Sequence, residues 1–350
     1  PKRIAEMAWK KPHYKKKGKS NPINPVARQL FKTTRNITQQ KQACLHDLVK
    51  ELFSSVPNAC AFHYTQVPLC PNYGIDDDIN VEKSYDINTS PTMPPSLVEV
   101  GNHAATVEDF INDLGIFSPE QITLLEENTR GQSENEIWKT QRMGRITASS
   151  MHRVMTKVKS LESDSTSAAV STESLVNSIT GCNNCLQVPA LLYGQQMEPE
   201  AREAYKNEQK SKHKNLNVST CGLFVLRKHP FIGASPDALI SCNCCGDGLL
   251  EIKCPFSIAD KSPCDANLPY LKKDSMGSLK LQQNNSYYSQ IQAQLGVCGK
   301  KWCDFFVYTR HGFYLERVTF NENWWTNLQL AAEFFFIHYV APELIRKKKC

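Results

Sequence analysis

The sequence lacks both a long apolar run and a secretory signal segment. Its most apolar stretch, residues 331–340, is broken by Glu333 and His338, whereas a membrane-spanning helix needs about 20 mostly apolar residues. No positively charged segment followed by an apolar one stands at the start of the sequence, as a signal peptide would require. The sequence therefore predicts an intracellular protein that is neither secreted nor placed in a membrane.

Acidic residues are nearly absent from residues 1–41, which hold twelve Lys or Arg and the single acid Glu6. This segment has a net charge of +11 while the whole chain has +6, so the remainder has −5. Large apolar residues are also scarce here, so a disordered tail is expected. A basic tail indicates DNA or another polyanion as partner, or a nuclear import signal. A solvated tail with neither role is the alternative.

Cysteine, by contrast, is abundant, with 14 residues. In the absence of a secretory signal, reduced thiols or metal ligands are favoured over a disulfide framework. The cysteines considered as metal ligands fall in two short motifs and one position between them: Cys182, Cys185, Cys221, Cys242, Cys244 and Cys245. Thiols at such spacings can hold a structural Zn²⁺, and clustered reduced thiols are the alternative.

Three parts are predicted along the chain: the basic tail 1–41, a region 42–117 and an ordered domain 118–350. The middle region is expected to hold one helix around residues 45–53, where apolar residues recur at helical spacing, followed by an acidic, proline-rich linker. Ordered structure is expected to resume at Ser118, which forms a capping-box pattern with Gln121. Pro119 then occupies the first helical position. No internal repeat is present.

From residue 189 onwards the hydrophobic pattern becomes regular. It predicts helices over 189–210, with a kink or restart at Pro199, over 286–297 and from about residue 323. It predicts strands at 222–226, 231–234, 238–241, 249–254, 304–309 and 313–320. A Ser/Thr-rich segment at 160–174 is expected to be a surface loop. This order of elements predicts an α/β fold with one central mixed sheet flanked by helices.

Three charged residues stand close to this apolar pattern. Glu251 and Lys253 flank Ile252, so in a strand both charged side chains lie on one face. Asp237 precedes Glu251 by 14 residues, a separation that a hairpin can close. Two carboxylates with the Ile252 carbonyl and water form an oxygen set suited to Mg²⁺ or Mn²⁺. Solvated surface charges are the alternative. The apolar neighbours, however, indicate a buried strand, and charged side chains are rarely buried unless they are paired.

Five motifs then occur in the order and spacing of a known nuclease family. They are Trp138 with Arg142-Met-Gly-Arg-Ile-Thr-Ala-Ser149, Tyr193-Gly-Gln-Gln-Met-Glu198, Gly233-Ala-Ser-Pro-Asp237, Leu250-Glu-Ile-Lys-Cys-Pro255 and Tyr288-Ser-Gln290-Ile-Gln292. Over about residues 118–345 the chain resembles the lambda-exonuclease-like, or YqaJ-type viral recombinase, branch of the PD-(D/E)xK nucleases. The resemblance implies a restriction-endonuclease-like core.

The resemblance also implies roles for individual residues. Asp237 and Glu251 would be metal ligands, and Lys253 the catalytic lysine. Glu198 would complete the metal site, and Gln290 would lie at its edge.

A second group is implied to bind DNA ends. Arg142 matches the position that binds the 5′-phosphate in the family, with Ser149 and Ser235 as nearby hydroxyl donors. A planar, permanently charged guanidinium suits a phosphate. An exposed salt-bridge partner is the alternative role for Arg142.

The predicted function is a magnesium-dependent deoxyribonuclease, a 5′-to-3′ exonuclease on duplex DNA. The alternative is a catalytically silent DNA-binding protein derived from a virus or mobile element, and a zinc-dependent protein-interaction module is a third hypothesis. The complete set of Glu198, Asp237, Glu251 and Lys253 favours the nuclease, because a protein that only binds DNA has no physical need for all four. The family includes ring-forming trimers, and the sequence neither indicates nor excludes a homo-oligomer.

Overall fold

The computed structural model describes residues 92–163, 171–181 and 189–347. The basic tail 1–41, the helix predicted around residues 45–53, and both Cys182 and Cys185 lie outside the described residues.

The described helices are α1 (Leu97–His103), α2 (Val107–Leu114), α3 (Pro119–Asn128), α4 (Glu136–Arg142), α5 (Ala148–Ser163), α6 (Glu173–Ile179), α7 (Pro189–Gln209), α8 (Ser286–Cys298), α9 (Glu322–Phe335) and α10 (Ala341–Lys347). Short 3-10 turns lie at Gln132–Glu134 and Phe256–Ile258, and a π-helical turn, Phe336–Val340, joins α9 to α10.

The described strands are β1 (Ile146–Thr147), β2 (Asn217–Ser219), β3 (Phe224–Leu226), β4 (His229–Ala234), β5 (Ala238–Cys242), β6 (Gly246–Lys253), β7 (Leu271–Lys273), β8 (Leu279–Leu281), β9 (Trp302–Thr309) and β10 (Gly312–Thr319).

A five-stranded mixed sheet forms the centre of the fold, in the order β10-β9-β6-β5-β2. Only the β6–β9 pair in this sheet is parallel. β9 is buried along almost its whole length and β6 from Gly248 to Ile252, as expected of strands covered on both faces. Helices lie against the sheet, with α7 in contact with β6 and β9 and α8 in contact with β9. The predicted α/β class with a mixed sheet flanked by helices is confirmed.

The prediction of one central sheet was incomplete, because β1, β4 and β3 form a separate three-stranded sheet. The chain passes from β4 in this sheet to β5 in the five-stranded sheet through Ser235, Pro236 and Asp237. Pro236 has no backbone N–H and cannot take part in a continuous ladder. This interruption lies next to the first predicted metal ligand.

Ordered structure begins before Ser118, so the predicted start of the ordered region was wrong. Leu97 of α1 and Phe110 of α2 are fully buried, in the same hydrophobic cluster as Leu344 of α10. Both helices begin with capping boxes, at Ser96 and Thr106. Each helix has only seven or eight residues, and so short a periodic pattern is hard to recognise in sequence.

Several other local predictions have definite outcomes. The capping box of Ser118 and Gln121 is present, with Pro119 as the first residue of α3. Pro199 lies inside the single helix α7. The loop expected at residues 160–174 is partly wrong, since α5 continues to Ser163 and α6 begins at Glu173.

The last helical run, Glu322–Lys347, is longer than the apolar stretch recognised in the sequence. By length and composition alone its 26 residues could cross a membrane, but 56% of its most apolar window is buried inside the fold. Leu328, Phe335 and Phe336 are fully buried in the main hydrophobic cluster. Its apolar composition is therefore accounted for by packing against the rest of the domain.

Candidate active site at the open end of a hairpin

The β5–β6 hairpin places Asp237 beside Glu251, as the spacing predicted. Ala238 pairs with Leu250 in the antiparallel register, and the Asp237 N–H donates to the Leu250 carbonyl at 3.2 Å. Asp237 Oδ2 in turn accepts the Ile252 N–H at 2.6 Å. The carboxylate of Asp237 is therefore held against the backbone of the strand that contains Glu251 and Lys253.

Glu251 is a buried carboxylate with an exposed fraction of 1%. Its two oxygens accept hydrogen bonds from side-chain amides of α8, Oε1 from Gln290 and Oε2 from Gln294, each at 2.6 Å. Oε1 also accepts a hydrogen bond from Lys253. A buried charge is tolerated only when it is paired and hydrogen-bonded, and these three donors fix the orientation of the carboxylate.

Two further carboxyl groups lie within the electrostatic reach of Glu251. Burial raises the pKa of Asp237 well above its usual range, and the neighbouring charges of Glu251 and Glu198 add to the effect. Burial also raises the pKa of Glu198, against the opposing influence of Arg202, to which it is hydrogen-bonded. Poor solvation and neighbouring carboxylates thus both oppose the ionisation of Asp237 and Glu198.

Lys253 is the principal cation among these acids. Burial favours its neutral form, but the charges of Glu251 and Asp237 outweigh burial and raise its pKa. The ammonium also lies 5.1 Å from the ring centroid of Tyr287. Without a metal ion, Lys253 is therefore a charged group held by Glu251.

This donor set fits a hard divalent cation. Asp237, Glu251 and Glu198 offer carboxylate oxygens, which Mg²⁺ and Mn²⁺ prefer. A cation among them would offset the burial and the mutual repulsion that together raise the pKa values of Asp237 and Glu198. Use of the Ile252 carbonyl as a further ligand stays a prediction.

A second polar group brings together the three residues predicted to bind a DNA end. Arg142, the last residue of α4, donates to Ser149 Oγ at 3.1 Å and lies 4.8 Å from the ring centroid of Trp138. Trp138 Nε1 donates to Ser235 Oγ at 2.9 Å. Ser235 is two residues before Asp237, so the chain connects this group directly to the carboxylate site.

Arg145, which belongs to the same motif as Arg142, is buried and has a structural role. It donates to the Gln141 carbonyl at 2.6 Å and to the Pro230 carbonyl, which fixes α4 to β4. Burial lowers the pKa of Arg145 to about 9. Arg142 is partly exposed while Arg145 is 1% exposed, so these two arginines of one motif differ in role.

Sequence reasoning missed Gln294 and Arg202, which contact predicted site residues. Gln294 is four residues after Gln290, and Arg202 is four residues after Glu198. Residues at this spacing lie on the same face of a helix, so the signal was available in the sequence.

The cysteine predictions have mixed outcomes. Cys242, Cys244 and Cys245 come together at the turn of the β5–β6 hairpin. The prediction that Cys221 could join them is wrong. The Cys221 side chain is buried elsewhere, and its Sγ donates to the Pro236 carbonyl at 3.2 Å. Sequence reasoning also missed His213, which joins the three turn cysteines.

A mixed sheet with Asp237 on one strand connection and Glu251-Ile252-Lys253 on the neighbouring strand defines a PD-(D/E)xK-like core. Residues 137–301 match the model of the YqaJ-like viral recombinase domain. This part of the chain is similar to that domain, and the predicted resemblance is confirmed.

Individual relatives are distant. The alkaline nuclease of Autographa californica nuclear polyhedrosis virus is 28% identical over 207 residues, which are 51% of this chain and 42% of that protein. The present chain thus spans less than half the length of this relative.

Solved structures of similar form include an alkaline exonuclease from Laribacter hongkongensis, with 22% identity and a TM-score of 0.44 over 61% of this chain and 97% of that one. Another is the shutoff and exonuclease protein of Kaposi's sarcoma-associated herpesvirus, with 13% identity and a TM-score of 0.41 over 65% of this chain and 74% of that one.

Proposed function

We propose that the protein is a metal-dependent deoxyribonuclease that hydrolyses phosphodiester bonds, with Mg²⁺ or Mn²⁺ as its ion. The observation that supports this most is the group of Asp237, Glu251 and Glu198 around Lys253. Such a group opposes its own ionisation, and perturbed acids held together in one region are typical of functional sites. The name of the viral relative, an alkaline nuclease, agrees with this chemistry.

In this proposal the three carboxylates hold the ion, and the helix α8 amides hold one of them in place. Bound Mg²⁺ supplies Lewis-acid polarisation of the phosphate and a lower pKa for coordinated water. Gln290 and Gln294 prevent rotation of Glu251 through their 2.6 Å hydrogen bonds. The Ile252 N–H similarly restrains Asp237. Positioned groups of this kind need no reorganisation when the substrate arrives.

The role proposed for Lys253 is to place positive charge and hydrogen-bond donors at the attacked phosphate. Its ammonium has three donor hydrogens, of which one is used by Glu251. The remaining donors can orient the attacking water and offset charge that builds on the phosphate oxygens. The raised pKa of Lys253 makes the charged form the one available before an ion binds.

We further propose that the enzyme is a 5′-to-3′ exonuclease on duplex DNA, with Arg142 binding the terminal 5′-phosphate. Ser149 Oγ, 3.1 Å from the guanidinium, would add a hydroxyl donor, and Trp138 supports the guanidinium from its ring face. The basic residues 1–41 would contribute sequence-independent affinity for DNA or direct the protein to the nucleus. A catalytically silent DNA-binding protein is the competing function.

The experiment that tests the proposal compares end-labelled linear duplex with covalently closed circular DNA, in Mg²⁺ and in excess EDTA. We expect mononucleotide release from the linear duplex in Mg²⁺, little cleavage of the circle, and no cleavage in EDTA. Ca²⁺ should support DNA binding but little catalysis.

Each alternative predicts a different result. Undiminished cleavage in EDTA would contradict the metal site, and cleavage of the circle would contradict the exonuclease. DNA binding without cleavage under every metal condition would favour the silent protein.

A further inference from the structure

Four side chains with strong affinity for soft and borderline metals meet at the turn of the β5–β6 hairpin. They are the thiols of Cys242, Cys244 and Cys245 and the imidazole of His213, which lies just after α7. One ligand atom from each lies within 4.8 Å of all the others. These residues come from two segments about 30 positions apart, so chain proximity alone does not explain the cluster.

The distances between these atoms match the edges of a zinc tetrahedron. With Zn–S near 2.3 Å and Zn–N near 2.0 Å, sulfur–sulfur edges are about 3.8 Å and sulfur–nitrogen edges about 3.5 Å. Cys244 Sγ lies 3.5 Å from Cys242 Sγ and 3.8 Å from Cys245 Sγ. His213 Nδ1 lies 3.2, 3.5 and 3.6 Å from the sulfurs of Cys244, Cys242 and Cys245. A disulfide would require a separation of about 2.0 Å.

The backbone around the cluster is arranged to hold it. The Cys245 N–H donates to Cys242 Sγ at 3.3 Å, which joins the two ends of the turn. The Asn243 N–H donates to the Lys214 carbonyl at 2.9 Å and joins the His213 segment to the hairpin turn. Gly246 has a φ of +70°, the left-handed conformation that favours glycine and lets the strand turn immediately after Cys245.

Trp302 of β9 packs against the hairpin and fixes its turn. Its indole N–H donates to the Cys245 carbonyl at 3.2 Å. A side chain at Gly248 would meet the indole ring, since a Cβ there would be only 2.4 Å from its atoms. The absence of a side chain at Gly248 is therefore what lets Trp302 lie beneath the hairpin.

We propose that His213, Cys242, Cys244 and Cys245 form a structural zinc site. Three sulfurs and one nitrogen complete a tetrahedral shell, so no position is open for water or substrate, as is typical of structural sites. Zinc is favoured over the ion of the carboxylate site because thiolate and imidazole ligands suit it, whereas Mg²⁺ requires oxygen.

The zinc site would connect the two elements on which the proposed active site is built. His213 follows α7, which contains Glu198, and the three cysteines end the hairpin that contains Asp237 and Glu251. Tyr205 Oη already links α7 to β9 through Asp304 at 2.6 Å. Zinc would restrain the end of α7 in addition. Only this consequence rests on the proposed function; the zinc site itself does not.

The direct test is the zinc content of the full chain, after dialysis against a weak chelator, in matched variants. Cys244→Ser and His213→Ala should each contain one zinc per chain fewer than the wild type. Cys264→Ser is the control, since Cys264 is exposed and its Sγ donates to the Phe313 carbonyl; it should keep the wild-type content. Unchanged zinc in both test variants would overturn the proposal.

A measurement on the wild type avoids any effect of the variants on folding. Alkylation followed by peptide mass analysis reports the reactivity of each cysteine. Cys244 and Cys245 should react slowly in the zinc-loaded protein and rapidly after chelation, while Cys264 reacts alike in both. Equal reactivity of Cys244 before and after chelation would overturn the proposal. Neither measurement uses DNA, so its failure is distinct from failure of the nuclease proposal.

Hydrogen exchange adds a readout for the structural consequence. Chelation should increase exchange in residues 210–216 and 242–246, which contain the ligands, more than in the strands of the central sheet. The same exchange rates in the loaded and chelated protein would mean that the ion does not restrain these segments.

Discussion

The two ends of the β5–β6 hairpin differ in chemistry although they share the same two strands. Asp237 and Glu251 lie at the open end, and Cys242 and Cys245 lie at the turn, roughly 17 to 20 Å away along the strands at about 3.4 Å per residue. The open end combines hard oxygen donors with an unfavourable setting for charge, because burial and neighbouring carboxylates raise the pKa of both Asp237 and Glu198. The turn end combines sulfur and nitrogen at spacings that already suit one ion.

On the two proposals made above, one hairpin would position two metal ions for different purposes. A reactive site must leave positions for water and substrate, and at the open end Glu251 is held by two donors from outside the hairpin, Gln290 and Gln294. A structural site needs a closed shell, and three of its four ligands come from the turn itself. We therefore expect substitutions at the two ends to have separable effects.

The largest effect on the cleavage rate is expected from removing a carboxylate charge at the open end of the hairpin. Asp237→Asn and Glu251→Gln should each lower the cleavage rate by several orders of magnitude while the fold is kept, because the amides keep the shape but hold a cation poorly. Asp247→Asn is the matched control. It removes a carboxylate from the same strand near the turn, where Asp247 is exposed and paired with Lys300 at 2.9 Å.

Rates on linear duplex and Mg²⁺ affinity by calorimetry check this prediction. The control should retain the wild-type rate. Unchanged Mg²⁺ affinity in both open-end variants would show that Asp237 and Glu251 are not the ligands.

A variant of Lys253 is expected to separate ion binding from turnover at the open end. Lys253→Ala should lose most cleavage yet keep Mg²⁺ binding, because it removes donors for the phosphate while leaving every carboxylate. Single-turnover rates and calorimetry on the same preparation distinguish the two. A loss of ion affinity as large as that of Asp237→Asn would instead make Lys253 part of the ion-holding structure.

A smaller effect is expected at the group that approaches the open end from α4. Arg142→Ala should reduce the preference for 5′-phosphorylated over 5′-hydroxyl ends by about ten- to a hundredfold, since a hydrogen bond to a charged group contributes roughly 1.5–3 kcal/mol. Initial rates on the two kinds of duplex measure the preference. A wild type without any such preference would contradict the 5′-phosphate site.

The smallest effect on chemistry is expected from the tail, which lies outside the described residues. Deletion of residues 1–41 should flatten the slope of log affinity against log salt by roughly 4 to 5, if a third to a half of its twelve cations contact phosphates. Turnover at saturating DNA should stay near the wild-type value. Affinities of both forms at three salt concentrations test this. Parallel lines would leave nuclear import as the remaining role of the tail.

The sequence alone predicted the pattern of the candidate site, because that pattern depends on residues close together in the chain. Alternation in a strand places Glu251 and Lys253 on one face, and Pro236 marks the break before Asp237. The capping box at Ser118 and four of the five strands of the central sheet, β5, β6, β9 and β10, were likewise predictable, since each depends on residues within a few positions of one another. The short edge strand β2 was not predicted.

Tertiary structure decided what depends on residues far apart in the chain. His213 joins three cysteines about 30 positions away only because the α7 segment and the hairpin turn meet in space. Helix α1 likewise depends on a distant segment, because its apolar side chains are buried in the same hydrophobic cluster as those of α10. The division of the described strands among three sheets also depends on pairing, not on local pattern. No local periodicity encodes such contacts, because their energy comes from packing between segments that the sequence keeps apart.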